Sequence, residues 1–208
     1  MAFVCAIVVA CGGEIANRYT NAQIGQPCMS VCENHTTFRE FELNEVSVEL
    51  PAPDADPGVL VCLMNHFRGR VTCPYGQSKD ALELPAVDGA SGGPFSSGVS
   101  ECKTPQGVAV TGSPADPTNG ALVEPQCADR RPARAVTWSC RCAAADGTTN
   151  DGATYCTCPT GTECSQVVVP IGSLNDDISG AYCIPVGSEY DPMTGCTVAC
   201  DPAVTTCP

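Results

Sequence analysis

A mainly β and irregular fold, made of small disulfide-rich β-hairpin modules joined by long loops, is what this sequence predicts. Three observations lead there. The chain of 208 residues carries 17 Cys, about 8% of its length, which is at the edge of the disulfide-scaffold range. It holds 20 Gly and 18 Pro, residues that favour turns and interrupt long regular elements. Aromatic residues are only 5%, and Trp138 is the single Trp. Large side chains therefore supply little of the burial that normally offsets chain entropy, and covalent staples are expected to compensate.

The strands are read from apolar patterning. Phe41-Glu42-Leu43 and then Val46-Ser47-Val48-Glu49-Leu50 alternate apolar and polar residues, the period of a half-buried strand, with a one-residue slip at Asn44-Glu45 that suggests a bulge. Pro51-Ala52-Pro53-Asp54 ends this stretch and Asp56-Pro57-Gly58 reads as a turn. Val59-Leu60-Val61-Cys62-Leu63-Met64 is a continuous apolar run and predicts a buried strand. Further strand character lies in Ala135-Val136-Thr137-Trp138-Ser139-Cys140, with Trp138 expected at the centre of the local core. Residues 166–171 and 181–186 are two more apolar pieces. No segment keeps a helical period over three turns.

Composition divides the chain into five parts. Residues 1–11 read as a signal segment, truncated at its start, and 12–26 as a polar tether. A first Cys-containing β block follows over 27–84, then a Gly/Pro/Ser-rich loop or linker over 85–125 that Cys102 pins. A Cys-rich acidic β block, 126–208, holds ten of the cysteines.

Cysteine usage points to an oxidising compartment, because a reducing cytosol would leave such residues as free thiols with no stapling role. The disulfide candidates are Cys28, Cys32, Cys62, Cys73, Cys102, Cys127, Cys140, Cys142, Cys156, Cys158, Cys164, Cys183, Cys196, Cys200 and Cys207. In Cys140-Arg141-Cys142 and Cys156-Thr157-Cys158 the paired residues flank one position. On a strand such neighbours share a face but sit too far apart to bridge comfortably, so each is expected to pair elsewhere, the two CxC segments cross-stapling. A four-thiolate zinc site from these same residues is the weaker reading, since structural zinc favours wider knuckles.

The N-terminal run Met1 to Ala10 is apolar and ends Val8-Val9-Ala10-Cys11-Gly12-Gly13. This resembles a bacterial lipoprotein signal, and the resemblance implies that Cys11 receives the lipid and becomes the mature N-terminus, holding the chain to a membrane through buried methylenes. Removing Cys5 with the signal leaves an even set, whereas lipidating Cys11 leaves an odd one and so an unpaired or intermolecular cysteine. Cys158-Pro159-Thr160-Gly161 is similar to the end of an epidermal-growth-factor-like module, taken as a shared hairpin solution. The blocks Cys140-Arg141-Cys142, Tyr155-Cys156-Thr157-Cys158-Pro159 and Gly180-Ala181-Tyr182-Cys183 resemble cysteine-rich bacterial lipoproteins of myxobacterial type. That resemblance implies export to a bacterial envelope or cell surface and implies no activity.

Charge restricts the partners. A net charge of −13 argues against nucleic acid. Arg130, Arg131, Arg134 and Arg141 cluster within a dozen positions, and after Arg141 no Lys or Arg occurs while eight acidic residues do. The favoured reading is that these arginines pair with acids of the tail and hold it down, each pair contributing little if exposed. The alternative is an anion patch for a glycan or lipid headgroup. Asp146, Asp151, Asp176 and Asp177 are weak calcium candidates, because the 146–152 loop fails the EF-hand order. Gly89-Ala90-Ser91-Gly92-Gly93-Pro94 is similar to the nucleophile loop of trypsin-like proteases, but Ala90 stands where an Asp belongs and neither His35 nor His66 has a base's context, so Ser91 reads as a loop residue.

No cofactor is expected and no catalytic residue is assigned. Two functions are carried forward: a non-catalytic exported envelope or surface protein, structural or adhesive, with an unknown protein or glycan ligand; and a secreted enzyme or thiol–disulfide exchanger using the CxC region.

Overall fold

The apolar run around Val61 forms the strand that organises the first sheet. The computed structural model describes residues 23–50, 60–74, 102–110, 123, 130–172 and 175–192. Within them the chain forms six short strands: β1 (Val46–Glu49), β2 (Val61–Asn65), β3 (Val136–Ser139), β4 (Arg141–Ala143), β5 (Thr162–Val168) and β6 (Gly180–Pro185). Helical elements among the described residues include the 3-10 turn Val31–Asn34 and the helical turn Pro132–Ala135. The fold is thus mainly antiparallel β and irregular, with several disulfides.

The chain divides into two units. One takes the segment ending at Cys28 with Asn44–Asn65 and Ala133–Tyr190; the other takes Met29–Leu43, His66–Pro132 and the chain beyond Asp191. The sequence blocks 27–84 and 126–208 each contribute to both.

The first unit contains both sheets. One has the order β1-β2-β3 and the other β4-β6-β5, all neighbours antiparallel. Strand periodicity sorts the side chains. Val46 and Val48 of β1, Val61 and Leu63 of β2, and Tyr182 and Ile184 of β6 gather with Val168 in one apolar cluster. The opposite face of β6 sends Ala181 and Cys183 into a second cluster with Ile24, Leu60, Cys140, Cys142 and Ala143. The continuous run at β2 is buried at every position, as its pattern predicts. β1 differs from the half-buried strand expected, because Ser47 and Glu49 are also buried. Trp138 is half-buried and packs against the second cluster, whose buried members include Cys140, Cys142 and Cys183, and so is not the central core residue expected. Cys28–Cys62 ties the chain before the first sheet to β2, while the Gly25 amide donates to the Trp138 carbonyl of β3 and the Trp138 amide donates to the Gln26 carbonyl.

The second unit is held by a polar lock. Ser30 caps the 3-10 turn, its hydroxyl accepting from the Cys32 amide at 3.1 Å. That turn presents Glu33 to the amides of Val71 (2.8 Å) and Thr72 (3.2 Å) and to the Thr72 hydroxyl (3.1 Å). Arg70, fully buried, donates to the carbonyls of Glu33, His35, Phe38 and Arg39. A guanidinium has five donors in a rigid fork, and this loop supplies carbonyls around it. Cys73–Cys102 then joins the tight turn at 70–73 to the small hairpin Lys103/Ala109, with Val110 and Val123 packed beside the bridge.

Candidate functional site: a six-cysteine cluster

Every described cysteine is oxidised: Cys28, Cys32, Cys62, Cys73, Cys102, Cys140, Cys142, Cys156, Cys158, Cys164 and Cys183 all sit in disulfides. Cys11, Cys127, Cys196, Cys200 and Cys207 lie outside the described residues, as do the signal segment and the Ser91 loop. Six of the eleven converge on the second sheet.

Each strand of that sheet places one of them. Cys142 is on β4, Cys164 on β5 and Cys183 on β6, while Cys140 precedes β4. Cys156 and Cys158 come from the loop between β4 and β5, which is tied back where the Cys156 amide donates to the Arg141 carbonyl at 2.9 Å. Further on, turns at Ala144/Gly147 and Pro159/Thr162 fix the loop's ends. The bridges are Cys140–Cys156, Cys142–Cys164 and Cys158–Cys183. Neither CxC closes on itself, in line with the geometric expectation. The two segments are cross-stapled once, through Cys140–Cys156, and their remaining members reach β5 and β6.

The sulfurs group across the bridges rather than within the sequence motifs. Cys183 Sγ lies 3.6 Å from Cys156 Sγ and 3.9 Å from Cys140 Sγ. Cys142, Cys158 and Cys164 form a second trio whose sulfurs all fall within 4.8 Å of one another. The bridge Cys158–Cys183 therefore has one sulfur in each trio. Exposure runs across the cluster: Cys164 is exposed, Cys156 and Cys158 half-buried, and Cys140, Cys142 and Cys183 buried. The four-cysteine zinc set suggested by spacing, Cys140, Cys142, Cys156 and Cys158, is not the set that converges. Cys183 and Cys164 arrive from distant strands and carry no spacing signal. Sulfurs bonded in pairs have no thiolate to offer a metal in this oxidised form.

The arginines act on main-chain oxygens. Arg141 is buried and donates to the carbonyls of Asp177 (3.2 Å) and Asp176 (3.5 Å), its guanidinium carbon 5.3 Å from the Tyr155 ring centroid. Arg134 is exposed and donates to the carbonyls of Val186 and Gly187, both at 2.8 Å. In the other unit Arg130 donates to the His66 carbonyl at 2.8 Å, and Arg131 is exposed. Arg134 and Arg141 thus reach the acidic segment through its main-chain carbonyls, and the Arg141 charge also helps lower the Asp151 carboxyl, behind that group's own hydrogen bonds.

The four acidic candidates are divided between two places. Asp146 accepts from the Thr148 amide and hydroxyl, and Asp151 from the Ala153 amide and the Tyr155 hydroxyl. Those hydrogen bonds hold both carboxyls below the usual range. Asp176 and Asp177 are exposed and engage Arg141 through their carbonyls. Among the described residues, the trios of potential ligands that converge are the two sulfur sets, and neither contains a carboxylate.

Glu33 and Arg70 form a charged site that the sequence did not flag. Burial pushes the Glu33 carboxyl up to about 7, against hydrogen bonds from Val71 and Thr72 and the Arg70 charge, which pull it down. Its donors are backbone amides 38 and 39 positions away, so no local motif announces it. His66 Nδ1 donates to the Leu43 carbonyl (2.8 Å), and burial holds its imidazole below the usual range.

No helix among the described residues is long and apolar enough to cross a membrane. The chain matches no protein-family model, no curated protein and no solved structure.

Proposed function

We propose that this chain is a non-catalytic exported protein of a bacterial envelope or cell surface, structural or adhesive, anchored through a lipid on Cys11. The observation that carries the reading is the oxidation of every described cysteine. A chain whose apolar clusters are built partly from cystine depends on those bonds, and they persist only where thiols are not continually reduced. The acidic surface and the apolar run before Cys11 support the same location. The ligand, if the surface is adhesive, is a protein or a glycan.

Intact mass of the full chain extracted from host membranes, alkylated with and without prior reduction, tests this directly. The reading expects an acyl increment on Cys11 and at most one thiol reactive before reduction. Recovery in the cytosolic fraction without an acyl group, or several reactive thiols, overturns it. The second reading, a thiol–disulfide exchanger, draws on one observation: unbonded sulfurs of neighbouring bridges approach to 3.6 and 3.9 Å.

A further inference from the structure

We propose that the three bridges around Cys183 form a thiol relay, in which attack by an external thiolate on exposed Cys164 frees a thiol at buried Cys140. This goes beyond the scaffold reading and does not depend on lipidation or export. It rests on the order in which the sulfurs lie: Cys164–Cys142, then Cys158–Cys183, then Cys156–Cys140, with Cys158 Sγ within 4.8 Å of the first bridge's sulfurs and Cys183 Sγ 3.6 Å from Cys156 Sγ. All six sulfurs are bonded, so the 3.6 and 3.9 Å approaches are contacts between bridges and not S–H hydrogen bonds.

Thiol–disulfide exchange needs a thiolate, an accessible sulfur to attack and a leaving sulfur. Cys164 is the one exposed residue of the six. An external thiolate forms a bond to Cys164 Sγ, the Cys164–Cys142 bond breaks, and Cys142 leaves as thiolate. Cys142 lies in the same trio as Cys158. It bonds to Cys158, the Cys158–Cys183 bond breaks, and Cys183 leaves. Cys183 is 3.6 Å from Cys156; it bonds there, the Cys156–Cys140 bond breaks, and Cys140 leaves. One thiolate enters, one emerges, and the number of disulfides is conserved, so no oxidant is consumed. Cys140 is only 2% exposed and sits among Ile24, Leu60 and Ala143. Such surroundings favour the neutral thiol, so taking up a proton there holds the displaced sulfur at the far end. The substrate class is a small or protein thiol outside the cluster.

The test uses the full-length oxidised protein and cysteamine as the probe. The protein is treated with one equivalent of cysteamine at about pH 8, where a substantial share of an ordinary thiol is ionised. The reaction is quenched in acid, labelled with N-ethylmaleimide and mapped without reduction. The relay expects cysteamine on Cys164, new bridges Cys142–Cys158 and Cys156–Cys183, and most maleimide on Cys140. Maleimide on Cys156, with Cys140–Cys183 bridged, overturns Cys140 as the end of the relay, the attack having gone to the sulfur 3.9 Å away. Maleimide on Cys142 with Cys158–Cys183 intact overturns the proposal, as does the absence of a cysteamine adduct on Cys164. The double variant Cys158→Ala/Cys183→Ala removes the middle bridge, and its maleimide should stop at Cys142. A label that still reaches Cys140 in that variant also overturns it.

Discussion

Arg70 and Phe38 meet twice: the Arg70 guanidinium carbon lies 5.2 Å from the Phe38 ring centroid, and its Nη2 donates to the Phe38 carbonyl at 2.6 Å. With the carbonyls of Glu33, His35 and Arg39 also satisfied by the same side chain, the loop from Glu33 to Phe41 is wrapped on one guanidinium.

Replacing that side chain should therefore unfasten the loop. Arg70→Lys keeps a charge but loses the planar fork, so it leaves buried carbonyls unpaired. Each unsatisfied buried group costs on the order of 1–3 kcal/mol. Urea denaturation should show a loss of about 3 kcal/mol in the transition of this unit, and Arg70→Met a loss at least as large.

Glu33 sets a pH dependence of unusual sign. Its folded carboxyl titrates near 7, above an unfolded value near 4.5, so the folded state holds the proton more tightly. Its stabilising contribution is full below about pH 4.5 and is lost as pH rises through about 7, by an amount of order 3 kcal/mol. Glu33→Gln cannot ionise and should flatten this part of the curve. The check is the difference between wild-type and variant urea midpoints at pH 5 and pH 8; an equal wild-type slope in the variant contradicts the assignment.

Gly180 opens β6 with φ +144°, and a Cβ there would run into the Ala143 carbonyl and come within 2.9 Å of Arg141 Nε. The nearest obstacle is backbone of β4, the strand that pairs with β6, so it cannot swing aside. Gly180→Ala should cost at least about 2 kcal/mol by strain and displaced pairing. Thermal melting of the variant, with all bridges retained, checks it.

Cys28–Cys62 closes a loop with a sequence separation of 34. A loop of that size stabilises by about 3–4 kcal/mol through the unfolded chain. Cys28→Ala/Cys62→Ala should lower stability by about that much in denaturant titration while leaving the β2–β3 pairing detectable by amide exchange.

Much of the strand content was legible because period and continuity are local properties. Val61-Cys62-Leu63-Met64 announces burial on both faces, and β2 has it. The CxC geometry likewise disfavours internal bridges, and neither Cys140–Cys142 nor Cys156–Cys158 forms. What stayed illegible depends on distance along the chain. β2 pairs with β3 across more than seventy residues, and composition blocks do not encode that partnership. Cys183 joins the cluster only because β6 lies between β4 and β5, a topology that no spacing records. Trp138 is the largest side chain of its strand, yet Cys140, Cys142 and Cys183 are among the buried members of that cluster and the indole is only partly buried against it. Glu33 and Arg70 look like ordinary surface charges until the fold encloses them.

The oxidised state and its pairing hold both apolar clusters that contain cystine. Non-reduced peptide mapping of the protein isolated from its host, alkylated before lysis, tests that most directly. It should return Cys28–Cys62, Cys73–Cys102, Cys140–Cys156, Cys142–Cys164 and Cys158–Cys183. Alkylation of several of these ten cysteines before any reductant is added would contradict it.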